Sequence, residues 1–131
     1  MLTRALTLAL ALRFYSTLAW SQNIRDFDTL QTGQTYRSAS EYCRKESDLR
    51  QVLDLHQSSG YQEALVLWKQ KTRVLNICIE DPLTVLTEFK VVRLVGTYNF
   101  GGTTLHIIEV MIGGLPAFAI SPIPVVPSTS R

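Results

Sequence analysis

The chain has 131 residues, with 13 basic and 11 acidic side chains, a net charge of +2 and 46% hydrophobic residues. That is enough for one domain with a modest core and too little for two. Its basic residues are scattered, with Arg44-Lys45 and Lys69, Lys71, Arg73 as the only small clusters, so the basic stripe that neutralises phosphates is missing and no nucleic-acid partner is expected.

Met1 to Arg4 is short and basic, and Ala5 to Leu12 is an apolar run broken only by Thr7. Ala19-Trp20-Ser21 then offers small residues to an exporting peptidase, which predicts a signal peptide over residues 1–21 and cleavage before Gln22. A stable membrane span is not expected, because Arg13 interrupts a run already shorter than the roughly 20 apolar residues a span needs. The competing address is mitochondrial: Met1 to Arg25 holds three arginines, several Ser and Thr and no acid, and Arg13-Phe14-Tyr15-Ser16 reads as a matrix-processing site. Ala5 to Leu12 is apolar nearly all round, which favours a secreted or periplasmic destination over a mitochondrial one or over a native N-terminal helix. Removing residues 1–21 takes Arg4 and Arg13 and leaves 11 basic against 11 acidic residues. The mature domain is therefore close to neutral.

Residues 22–35 form a polar lead-in whose Gln31-Thr32-Gly33-Gln34 run marks a loop, with Ile24, Phe27 and Leu30 as anchors. Tyr36 to Tyr42 is a short strand or an extended approach to Cys43. A first helix opens near Ser47, carries Leu49, Val52, Leu53 and His56 at helical spacing, and closes at Ser58-Ser59-Gly60. The second places Tyr61, Ala64, Leu65 and Trp68 on one face and leaves Glu63, Lys69 and Lys71 to water. Two such helices returning on each other would bring Cys43 and Cys78 within disulfide reach. Closing that loop would add about 4 kcal/mol in the chain-entropy account, and an oxidising compartment would preserve the bond.

After the helices the period changes. Val74 to Ile79 is rich in branched residues, Glu80-Asp81-Pro82 reads as a turn, and Leu83 to Val95 is extended, with its apolar residues changing face near Val91 as at a bulge. Thr103 to Ile112 and Leu115 to Ile120 follow, joined by a Gly113-Gly114 hairpin, and Pro116 places the last strand at a sheet edge. The expected fold is α+β: a helical hairpin packed on a small antiparallel sheet, a three-stranded meander with one more strand at most, over residues 36–120. Residues 121–131, with Pro122, Pro124 and Pro127, read as a flexible proline-rich tail.

Chemistry is sparse. His56 lies on the apolar side of a helix and His106 in a strand, each fitting a satisfied, partly buried histidine better than a catalyst. Cys43, His56, Cys78 and His106 are zinc-ligand types without the close spacing of ligand pairs, so neither metal nor cofactor is expected. No Gly-x-Ser-x-Gly elbow occurs, and Asp54 and His56, two residues apart on one helix, point about 200° apart. The candidate binding surface is the glycine-bracketed stretch Gly96 to Gly102, where Tyr98, Asn99 and Phe100 could meet a protein or glycan partner. The sequence thus reads as a small exported, disulfide-stapled binding protein. A small periplasmic hydrolase or thiol enzyme and a structural envelope-assembly subunit are the alternatives.

Overall fold

A computed structural model describes residues 27–127. The expected signal peptide, residues 1–21, and the end of the tail, residues 128–131, lie outside the described residues. Two helices form where the 3.6-residue pattern places them, α1 over Glu46–Ser59 and α2 over Tyr61–Lys69. Leu49, Val52 and Leu53 of α1 and Ala64 and Trp68 of α2 are buried, and Glu46 and Asp48 set acidic groups at the positive end of α1. Gly60 alone separates the helices at φ 96°, where a side chain would be strained. Its N–H caps His56 O at 3.0 Å, and its own carbonyl accepts Ala64 N–H at 3.3 Å.

At its far end α2 widens into a π-type turn, Gln70–Val74, in which Leu75 N–H reaches Gln70 O at 2.9 Å. The wider turn moves the chain out of helical phase, and Lys71, expected in water, is instead 4% exposed. Its ammonium donates to Asp48 Oδ1 at 3.0 Å and Gln51 Oε1 at 2.6 Å. The burial is tolerated because the charge is paired and hydrogen-bonded.

The sheet departs most from expectation. Strand accounts for 45% and helix for 28% of the structure, and a six-stranded, curled antiparallel half-barrel replaces the helical hairpin on a three-stranded meander. A one-residue junction at Gly60 is also shorter than the two to five residues that let antiparallel helices turn back. The strands are β1 Leu30–Gln31, β2 Thr35–Ser38, β3 Glu41–Cys43, β4 Cys78–Glu80, β5 Thr87–Phe100, β6 Thr103–Ile112, β7 Leu115–Ser121 and β8 Val125–Val126. The large sheet runs β2-β5-β6-β7-β3-β4. Within it the Gly113-Gly114 hairpin pairs Ile112 with Leu115, and β5 shifts register between Val91 and Arg93 and again between Leu94 and Gly96. Such irregularities bend a strand, which suits a curled sheet. Strand β7 lies inside the sheet between β6 and β3, so the expected edge position is overturned; Pro116 is the second residue of the strand, and β3 joins only at Phe118 and Ala119. No ladder bond to β3 is asked of the proline.

One segment, Thr35 to Cys43, supplies two strands. Only Ala39 and Ser40 separate β2, which pairs with β5, from β3, which pairs with β7 and β4. Asp81 fastens this crossing: its Oδ2 accepts Ser40 N–H at 3.1 Å and the Thr87 hydroxyl at 2.7 Å, and its N–H donates to Ser40 O at 3.0 Å. The lead-in and the tail also meet. Leu30–Gln31 and Val125–Val126 pair in parallel, and Pro124, which has no donor, accepts Leu30 N–H at 2.8 Å. Gly33 N–H and Gln34 O then bracket Val91 of β5 at 2.8 and 2.9 Å. Helix α1 packs across β3 and β7 while β8 lies against β5, and the buried residues of both regions belong to one apolar core.

Candidate interaction surface

Tyr98, Asn99 and Phe100 lie in paired strand, and the tight turn is confined to Gly101-Gly102. Tyr98 is buried, with its hydroxyl donating to Asp54 Oδ1 at 2.7 Å and accepting from Arg50 Nη1 at 3.2 Å. Burial first, and then donation to Asp54, raise the Tyr98 phenol above the usual tyrosine value. Arg50 also bonds Glu46 at 2.6 Å and Val95 O at 3.4 Å. Gly96 makes room for it: a β-carbon there would lie 2.6 Å from the guanidinium. Phe100 stacks on Tyr98 with centroids 6.0 Å apart and meets the His56 ring nearly at right angles at 4.4 Å. Asn99 is exposed. These residues clamp the β5–β6 hairpin to α1.

The histidines stand in different settings. His56 packs between Phe100 and Tyr61, whereas His106 lies opposite Thr97, whose hydroxyl is 3.3 Å from its Nδ1. Burial lowers both below the usual histidine value. Cys43 and Cys78 face each other across β3 and β4 and form a disulfide. A bonded pair has no thiolate to offer a metal or a substrate. Among the described residues no group of three His, Cys, Asp or Glu side chains is arranged to hold a metal.

The sequence reading missed how the chain leaves the π-type turn. Asn76 takes a left-handed φ of 55°, a conformation asparagine tolerates, and turns the chain into β4. Ile77 N–H anchors the turn on Lys71 O at 2.9 Å, and Trp68 Nε1 donates to Glu80 Oε1 at 2.8 Å. Staple, turn and indole fix the backbone while the apolar side chains face outward. Val74 is 71% exposed, Leu75 52%, Ile77 37% and Ile79 42%. Beside them lies an open cleft of about 370 Å³, lined among others by Thr72, Arg73, Ile79 and Pro82. No protein-family model, curated protein or solved structure matches the chain. The surface must therefore be read from its own chemistry. Single exposed apolar residues are ordinary, whereas four large branched ones within six positions mark a surface suited to a partner. Branched residues were visible in the sequence as a strand signal; only the sheet shows which side they face. No helix among the described residues is long and apolar enough to cross a membrane.

Proposed function

We propose that this is an exported interaction protein that engages a protein partner through the aliphatic border Val74, Leu75, Ile77 and Ile79. The observation that carries the reading is the outward exposure of those four side chains on a backbone held by the Cys43–Cys78 disulfide. A rigid border loses little conformational entropy on binding, and aliphatic groups without an aromatic platform suit an apolar protein surface better than a sugar. The disulfide supports an oxidising compartment and so agrees with the export signal read at the N-terminus.

Two measurements test the reading. Expression with the native N-terminus in an exporting host, followed by intact mass before and after reduction, should give a chain starting at Gln22 with one disulfide. A retained N-terminus with two free thiols overturns the export. For the surface, the dye 1-anilinonaphthalene-8-sulfonate should shift the backbone amide resonances of residues 74–79 in the folded protein, and Leu75→Ser with Ile79→Ser should abolish those shifts. Shifts confined to other residues overturn the assignment of this border.

A further inference from the structure

His56 stands apart from the polar clamp beside it. It occupies the last turn of α1, and its ring meets Phe100 edge-on at 4.4 Å and Tyr61 at 6.4 Å. Its Nδ1 is buried and has no hydrogen-bond partner. A neutral imidazole tolerates this, because the buried nitrogen can be the unprotonated one, and an unsatisfied lone pair costs less than a charge. An imidazolium carries N–H on both nitrogens, so protonation would leave a buried, charged donor with no acceptor.

Nothing around His56 offsets that cost. On α1, Asp54 accepts the Tyr98 hydroxyl and Arg50 bonds Glu46. On β5, Tyr98 points to those two groups, and on α2 Glu63 is exposed. No carboxylate among the described residues stands within ion-pair distance of the imidazole. The negative end of the α1 dipole would favour a cation, but α2 starts one residue later and sets its positive end at the same place.

We propose that His56 is a proton-operated latch on the tip of the β5–β6 hairpin. With the imidazole neutral, Phe100 is seated against the end of α1. Protonation unseats Phe100 and frees Gly101 to Thr103, while Tyr98, bonded to Asp54 and Arg50, stays as the hinge. The movement is local because two hydrogen bonds, one to Asp54 and one from Arg50, hold Tyr98 to α1. The sign follows from linkage: a histidine that folding holds neutral binds more protons when released, so latch stability is complete at neutral pH and falls as the pH drops through the ordinary histidine value of about 6.5. The inference is independent of the aliphatic border, which lies on other residues.

The test is hydrogen exchange at about pH 7.5 and about pH 5.5, corrected for the intrinsic pH dependence of exchange. Acidification should raise opening by up to about tenfold, the most that one pH unit of proton linkage allows, in Phe100 to Thr103 and the last turn of α1. The rest of β6, Thr104 to Ile112, and β7 should stay protected. His56→Phe keeps a ring and removes the titration, so it should abolish the response; His106→Gln should leave it intact. An acid response that persists in His56→Phe, or that disappears with His106→Gln, overturns the latch. Should His56→Phe fail to fold, NMR titration of the His56 ring in the unaltered protein decides: titration below the ordinary value supports the latch, and titration at or above it overturns it.

Discussion

Strands β2 and β4 occupy opposite edges of one sheet, and the chain secures them by different means. Four residues of β2 pair with β5, the Tyr36 ring packs between Phe27 and Phe89, and the Asp81 carboxylate ties down the crossing that follows. In contrast, β4 has three residues, its Ile79 faces outward, and a covalent bond joins it to β3. An edge that buries its side chains can rely on packing and hydrogen bonds. An edge that turns apolar groups outward forgoes that stabilisation, and the disulfide replaces it.

The comparison is broken most severely by removing the staple. Cys43→Ala with Cys78→Ala should lower stability by about 4 kcal/mol in urea unfolding, a large share of the ~5–15 kcal/mol that holds a typical domain. Hydrogen exchange should rise first in β4 while β2 stays protected; equal loosening of both edges would show that the staple serves the whole sheet. Asp81→Ala should act at the opposite place. Leaving Ser40 N–H and the Thr87 hydroxyl without their acceptor should cost roughly 2–3 kcal/mol in the same assay and expose β2 first. Trp68→Phe removes the bond to Glu80 and also shrinks a fully buried ring, for a loss of about 2 kcal/mol measured by thermal unfolding. Ile77→Ser should change stability by under about 0.5 kcal/mol, as an outward-facing side chain does. A larger loss would mean that the aliphatic border supports the fold instead of facing a partner.

Local signals account for what the sequence disclosed. The glycine after Ser58-Ser59 ends α1, Gly113-Gly114 turns the β6–β7 hairpin, and the change of face near Val91 coincides with the observed register shift. The pairing of Cys43 with Cys78 was also legible, although the half-barrel brings them together as cross-strand partners and not through a helical hairpin. What stayed hidden depends on distant residues. Strands β1, β3, β4 and β8 have two or three residues each, too few to show an alternation, and they become strands only by pairing with remote ones. Gly96 read as a loop residue, yet it lies in β5 because Arg50 of α1 takes the space of a side chain. Lys71 read as solvated because helical phase was carried one turn too far, into a π-type turn.

The crossing at Ala39-Ser40 has a consequence for the order of events in synthesis. The first large-sheet strands to leave the ribosome, β2 and β3, find their neighbours in β5 and β7, among the last to be made. Contacts this remote in sequence form slowly and late. The nascent chain therefore holds β2 and β3 without a completed sheet until β7 has been translated. If the chain is exported as proposed above, that delay would keep it unfolded for passage through the export channel.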